Sequence, residues 1–307
     1  MTEHIVMVGA LNADLAIRVE RLPAPGETVA GRDVQVLPGG KASNQAVAAA
    51  RLCGRVRLVG AVGDDENGRM LREHAAAAGV DVAHVAVLPG VATGQAIIPV
   101  DDAGENAIIL VPGANGAIAP DDIPVEAYLD AAIVCLSLEV PMPVVQRAAA
   151  RAAAAGARVV LNPSPYRSLP ASLLDATDVL IVNELEAGQL LGTPIDLDAD
   201  GIAALRAAVA PRGISQLVVT RGAQGALAVD GGAVAEIAAT RVEAVDTTGA
   251  GDAFTGALAV GLAAGRSLPD AAAEASLVAA FSTTRRGAQP SYPTAAELAD
   301  LRAAGVH

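Results

Sequence analysis

The densest chemistry in the chain is Asp246-Thr247-Thr248-Gly249-Ala250-Gly251-Asp252, which runs straight into the apolar stretch Ala253–Ala264. Glycines at a helix start let backbone N–H groups converge on one point, and the helix dipole adds positive potential there. That combination makes an anion hole. An aspartate in the first turn can simply complement the dipole. Beside an anion hole it has a second use. Its carboxylate can take the proton of a hydroxyl that attacks a phosphoryl group, while the N–H groups hold the transferred charge. Phosphoryl transfer is the chemical reading of this segment, and a dipole-matched helix start is the structural one.

A second constellation lies near the front. Asn12 and Asp14 follow the apolar run Ile5–Gly9, and Gly39-Gly40-Lys41-Ala42-Ser43-Asn44 opens a stretch of helical length. Glycines permit close approach, Lys41 and Asn44 donate, and Asp14 can accept from vicinal hydroxyls, a mix that polyol recognition needs. The plainer readings are an Asx turn at Asn12 and Asp14 and a tight turn with a capped helix at 39–44. Lys41 is the only lysine beside twenty arginines. Either it survived by chance or its position needs a compact ammonium; its neighbours favour the second.

Weaker signals come later. Asn183-Glu184-Leu185-Glu186 follows a strand and starts a helix, where Glu186 can complement the dipole. Thr220-Arg221-Gly222-Ala223-Gln224-Gly225 reads as a hairpin turn, and Glu139 as a strand stop before Pro141. At the ends of neighbouring strands the 183–186 and 220–225 segments can also face one nucleotide, and Glu139 can contact a ligand. No G-x-x-x-x-G-K-[ST] occurs, and Phe254 stands where a G-x-G-x-x-G would need its third glycine, which demotes P-loop and dinucleotide-dehydrogenase readings.

The elements that must carry these residues alternate. Ile5–Gly9, Arg57–Val62, Ala132–Leu138, Arg158–Leu161, Asp178–Val182 and Leu217–Thr220 are short apolar runs that predict buried strands. Between them Ala42–Cys53, Glu66–Ala78, Met142–Ala155, Glu184–Leu191 and Ala199–Ala210 predict helices, most stopped at Gly54, Gly79, Gly156 or Gly192. The pattern predicts an α/β fold, a doubly wound and mostly parallel sheet flanked by helices. Two stretches lack a helix. About 15–36 and 93–111 predict antiparallel hairpins, a small β-sheet lid over the carboxyl ends of the main strands. After Ala226 another hairpin precedes a helical C-terminal third. No linker or repeat divides residues 1–307, so one α/β unit is expected.

Composition removes other classes. Of 307 residues 52% are hydrophobic, enough for a sizeable core, and the net charge of −13 disfavours nucleic acid and anionic membranes. Two Phe, three Tyr and no Trp leave little for base stacking. Cys53 and Cys135 form no metal spacing, and His4, His74, His84 and His307 lie near no second ligand or serine motif, which disfavours zinc and Ser-His-Asp chemistry. The start lacks a basic signal region, and no apolar run reaches membrane length. A cytoplasmic protein is expected.

The whole chain resembles the ribokinase (PfkB-type) carbohydrate kinase family. The resemblance rests on N-A-D at 12–14, P-x-P-G-E-T at 23–28, G-G-K-x-x-N-Q-A at 39–46, V-P-G-A-N at 111–115, N-P-S-P at 162–165, N-E-x-E at 183–186, D-T-T-G-A-G-D at 246–252 and R-R-G-A-Q-P-S at 285–291. The last two blocks are the specific ones. The resemblance implies an ATP-dependent kinase, with D-ribose phosphorylated at its 5-hydroxyl. Asn12, Asp14, Gly39, Gly40, Lys41, Asn44 and Glu139 would hold the sugar, with Asp252 as catalytic base and Gly249, Ala250 and Gly251 as the anion hole. Asn183, Thr220, Arg221, Gly222, Gly225, Gly251 and Ser276 would lie along ATP. Glu186 would act on Mg2+ through water. Asp246, Thr248, Ser282, Arg285, Gly287 and Ser291 would hold K+, mostly through backbone carbonyls. Family members commonly dimerise through the lid, so a homodimer is implied. Two residues depart from the pattern: Ser43 replaces a usual glycine, and Pro99 falls in a lid strand, which predicts an edge or a bulge there. Alternative substrates are a nucleoside such as adenosine, a ketohexose or a 2-keto-3-deoxy sugar acid. The alternative of another class is a catalytically silent sugar-binding module, against which the intact G-A-G-D argues.

Overall fold

The computed structural model describes residues 4–303; the first three residues and the last four, His307 among them, lie outside that span. The strands are β1 (His4–Val8), β2 (Asn12–Val19), β3 (Gly31–Gly39), β4 (Val56–Gly63), β5 (Val85–Leu88), β6 (Gln95–Val100), β7 (Ile109–Val111), β8 (Ala131–Leu136), β9 (Arg158–Leu161), β10 (Val179–Asn183), β11 (Gln216–Thr220), β12 (Ala226–Asp230) and β13 (Ala233–Ile237). The helices are α1 (Lys41–Arg51), α2 (Glu66–Ala77), α3 (Ala114–Ala117), α4 (Met142–Ala154), α5 (Ala171–Leu174), α6 (Glu184–Leu191), α7 (Ala199–Val209), α8 (Ala250–Ala263), α9 (Leu268–Ser282) and α10 (Ala295–Ala303).

Nine strands form the main sheet in the order β13-β12-β11-β10-β9-β8-β1-β4-β5, all parallel except β12, which runs antiparallel to both its neighbours. Its strands are apolar on both faces because both are covered. Alternation sorts them: Ile5 and Met7 of β1 join the core under α1, α8 and α9, while Val6 and Val8 join the core under α4, α6 and α7. The strand order reverses beside β1, and the chain leaves β1 and β8 at adjacent carboxyl ends there, where open α/β sheets place their ligands.

The hairpins expected around 15–36 and 93–111 merge into one separate sheet of order β3-β2-β6-β7, with β2 and β6 paired in parallel. It extends further than expected, since Asn12 and Asp14 begin β2 and Gly39 ends β3. One cross-strand row, Val36-Leu15-Ile97-Ile109, lies on one face, and the neighbouring row, Leu37-Asp14-Ala96-Leu110, lies on the other. The pleat thus turns Asp14 away from the apolar face that carries Leu15. At Pro99 the strand β6 has lost β7, which pairs only with residues 95–97. The Pro99 carbonyl accepts from Ala107 on that open side, so the missing N–H breaks no ladder.

Most helix stops lie where the glycines predict. Gly192 is a left-handed C-cap, and Gly79 and Gly156 take positive φ just past α2 and α4. At α1 the left-handed residue is Cys53, not Gly54. A Cβ on Gly54 would lie 2.8 Å from the Ala49 carbonyl oxygen, so that glycine is explained by close approach. β5, a short half-buried edge strand, was not apparent in the sequence pattern. Among the described residues no helix is long and apolar enough to cross a membrane.

Candidate active site

Asp252 sits in the first turn of α8 and is only 6% exposed. Its two oxygens are held from one side by α1: Asn44 Nδ2 donates to Oδ2 and Gln45 Nε2 to Oδ1, each at 3.0 Å. Gly249, the residue before α8, is left-handed at φ +77°, and the Tyr292 hydroxyl donates to its carbonyl at 3.2 Å. The Ala250 N–H donates to the Thr247 carbonyl at 3.2 Å. Among the described residues the N–H groups of Gly251 and Asp252 take no acceptor within the chain. A Cβ on Gly251 would meet nothing within 4 Å, so the helix start is uncrowded at this residue. This helix start can receive an anion beside a buried carboxylate.

Lys41 opens α1 beside Asp252. Gly40 before it has φ +87°, and a Cβ there would lie 2.5 Å from the Ala10 carbonyl oxygen, so only glycine lets α1 begin this close to the β1–β2 connection. No side chain of its own caps α1; Glu139, arriving from the end of β8, accepts from the Lys41 N–H at 2.8 Å. The charge of Asp252, with those of Glu139 and Glu186, raises the Lys41 ammonium above the ordinary lysine range against the opposing effect of burial. Burial pushes Glu139 up and outweighs the pull of Lys41. Asp14 joins from β2. Burial, with the charges of Glu139 and Asp252, pushes its carboxyl up to about 7. A Cβ on Gly39 would collide with that carboxylate at 2.0 Å, which accounts for the glycine. Asn12 is buried, and its Oδ1 accepts from Asn115 Nδ2 at 2.8 Å; Asn115 also holds the Leu11 backbone from both sides. Asn12, Asp14, Gly39, Gly40, Lys41, Asn44, Glu139 and Asp252 therefore come together around one lysine and three carboxylates.

The second group is spread along the ends of β10 and β11. Asn183 and Glu186 form a capping box on α6: Asn183 Oδ1 accepts from the Glu186 N–H at 2.8 Å, and Glu186 Oε2 accepts from the Asn183 N–H at 3.0 Å. Thr220 ends β11 beside Asn183. The Arg221 side chain is turned aside, donating to Glu236 Oε1 at 2.8 Å and to the Gln224 carbonyl. Gly225 has φ +86°, and a Cβ there would meet the Ile237 carbonyl oxygen at 2.1 Å, while Gly222 is open. Ser276 is buried on α9.

The third group closes a loop beneath α8. Asp246 Oδ1 accepts from the Thr248 N–H at 2.9 Å and Oδ2 from the Gly287 N–H at 2.8 Å. Burial would raise this carboxyl, yet those hydrogen bonds and the Arg286 charge hold it below the usual range. Ser282 and Ser291 turn their hydroxyls onto the Ala279 and Ala288 carbonyls. The Arg285 guanidinium leaves the loop, 4.4 Å over the Phe281 ring and paired with Glu297 at 2.8 Å.

Gln45, Asn115, Gln289 and Tyr292 were not singled out in the sequence. They are buried polar groups that act across the fold; Gln45, Asn115 and Gln289 could have been flagged only by their places in the motif blocks, and Tyr292 lies just past the last of these.

Residues 2–295 match the pfkB family carbohydrate kinase pattern. The chain is 36% identical to the ribokinase of Haemophilus influenzae over 301 residues, covering 97% of each. It is 34% identical to the deoxyribokinase of Salmonella typhi over 293 residues, covering 94% of this chain and 95% of that one. The structure of Arabidopsis thaliana ribokinase complexed with ribose and ATP superposes with a TM-score of 0.90 at 32% identity, covering 98% of this chain and 99% of that one. With a buried aspartate at an open, anion-ready helix start and a polar cluster suited to hydroxyls beside it, this chain belongs to the pfkB family of carbohydrate kinases, phosphotransferases that act on a sugar hydroxyl.

Proposed function

We propose that the protein is a ribokinase: it transfers the γ-phosphoryl group of ATP to the 5-hydroxyl of D-ribose, with Asp252 as general base. The observation that carries this is the Asp252 carboxylate, buried at the α8 start with both oxygens aimed by α1, the helix that also brings Lys41. The likeness to ribokinases supports the choice of sugar. Asp14, Asn12, Asn44, Lys41 and Glu139 hold the hydroxyls, and the clamp leaves Asp252 fixed beside the one that reacts. It takes that proton as the oxygen attacks phosphorus, and the bond to the ADP oxygen breaks. The open N–H groups of Gly251 and Asp252 hold the charge of the phosphoryl group in flight.

ATP lies along Asn183, Thr220, Gly222, Gly225 and Ser276. The capping box uses one oxygen of Glu186, and the other suits a water of bound Mg2+. That ion would neutralise the β- and γ-phosphates when present. Asp246, Thr248, Ser282, Arg285, Gly287 and Ser291 offer oxygen donors, and with the Arg285 guanidinium turned away the loop suits K+, which would add positive field near the anion hole. The four-stranded sheet, from about 15–36 and 93–111, is the lid of a single α/β unit. Copies pair through its outer face. Two free cysteines, Cys53 and Cys135, suit a reducing cytoplasm.

The test is ADP release over a panel of D-ribose, 2-deoxyribose, a ketohexose, a keto-deoxy sugar acid and adenosine. D-ribose should give the highest kcat/KM. A higher value with 2-deoxyribose would move the protein to the deoxyribokinases; no ADP with any acceptor would leave only sugar binding. Asp252→Asn keeps the side-chain shape but cannot take the proton, so kcat should fall about 10²–10⁴-fold while ATP still binds.

A further inference from the structure

Gln289 is fully buried, 0% exposed, in the short turn that follows the Arg285–Gly287 loop. Its amide nitrogen donates to Asn44 Oδ1 at 2.9 Å and to Ser43 Oγ at 3.1 Å. Asn44 in turn donates from Nδ2 to Asp252 Oδ2 at 3.0 Å. The two ends of an asparagine amide are nearly equal in size, so shape alone does not decide which end faces a neighbour. A carboxylate only accepts, so Asn44 serves an ionised Asp252 only when its NH2 faces it. The flipped amide would set a carbonyl against that carboxylate. It would also set NH2 against the NH2 of Gln289. The donor behind the Asn44 oxygen is what locks the useful orientation, and that donor is Gln289.

We infer that Gln289 is a positioning residue for Asp252. It acts through Asn44 and touches neither sugar nor nucleotide. The inference rests on the reading of Asp252 as the base. The same turn reaches the other wall of the site, where the Tyr292 hydroxyl binds the Gly249 carbonyl. One short segment thus ties the start of α1 to the start of α8. Gln45 continues to hold Asp252 Oδ1 when Gln289 is changed, so a partial loss is expected.

The experiment measures kcat and both KM values with D-ribose and ATP for wild type, Gln289→Met, Gln289→Glu, Asn44→Ala, Asn44→Ala/Gln289→Met and Asp252→Asn. Gln289→Met keeps the length and removes the donor. Its kcat should fall about tenfold, the scale of the Asn44 hydrogen bond to the Asp252 carboxylate that Gln289 holds in place, with the KM for ATP unchanged. Gln289→Glu keeps the shape but presents only acceptors to Asn44, and should lose at least as much. In the Asn44→Ala background Gln289→Met should change kcat by less than about twofold. Equal losses with and without Asn44 would make Gln289 a packing residue and overturn the inference. So would a wild-type kcat in either Gln289 variant; if the methionine variant does not fold, the glutamate variant decides. Asp252→Asn separates the two readings. If it keeps more than about a tenth of kcat, the base reading falls and this inference with it. If it is inactive while the Gln289 variants turn over normally, only this inference falls.

Discussion

Two side chains of the candidate site make separable demands on the sugar. Lys41 stands among carboxylates, so Lys41→Arg keeps the charge but brings a larger, flat donor into a place built for a compact one. The KM for ribose should rise about tenfold, with the melting temperature nearly unchanged; an unaltered KM would return Lys41 to chance. Asp14 predicts a pH dependence. Its folded-state value near 7 lies above the ordinary 3.8, so its contribution to stability is complete below 3.8 and is lost as pH rises through 7. Asp14→Asn cannot ionise, so its melting temperature should gain on wild type over that window and lead most above pH 7. Binding should run the other way. The KM of wild type for ribose should fall as pH rises through about 7 and Asp14 becomes a full acceptor, while the Asn variant stays flat. Parallel KM profiles in the two proteins would remove Asp14 from sugar recognition. Both residues stood out in the sequence, Lys41 in a Gly-Gly turn that opens a helical stretch and Asp14 just past the first apolar run. Gln289 was not, since nothing local to an Ala-Gln-Pro turn shows that its amide meets Asn44 across the fold.

The elements were legible where one periodicity dominated. Continuous β-branched runs became the parallel strands, and glycine punctuation set most helix ends to within a residue or two. The half-buried edge strand β5 is a four-residue apolar run, Val-Ala-Val-Leu, too short to stand out and buried on one side only. The length of β2 was masked because Asn12 and Asp14 read as turn formers. The capping box at Asn183 and Glu186 shows how one residue pair can start α6 and still leave an oxygen for a ligand. The start of α8 carries the strongest prediction at this scale. A Cβ on Gly249 would lie 2.5 Å from the Tyr292 hydroxyl and 2.6 Å from Ala288 Cβ, at a left-handed φ. Gly249→Ala must therefore push the 288–292 segment away or unwind the first turn. Urea unfolding should show a loss of about 1–3 kcal/mol, and kcat should fall because Asp252 rides on that turn. A variant as stable and active as wild type would mean that the turn has slack.

For the molecule as a whole, the apolar face of the second sheet sets several large hydrophobic side chains together in the open. Val34, Val36 and Ile109 stand at 50–58% exposure, far from either core. Pairing of two copies through that face should make the protein a dimer in sedimentation at micromolar concentration. Val36→Glu, at an exposed position that costs the fold little, should shift it towards monomer. A monomeric wild type would mean that the face stays bare. A last consequence follows from the placement of the chain's one lysine at the mouth of α1. Lys41 is the one side-chain primary amine of the sequence, and it lies among the residues proposed to hold the sugar. An acylating reagent should therefore mark one lysine side chain, and bound ribose should shield it. Intact-mass spectra of partly acetylated enzyme would then read occupancy of that site, and coupling to a surface through Lys41 should silence the enzyme.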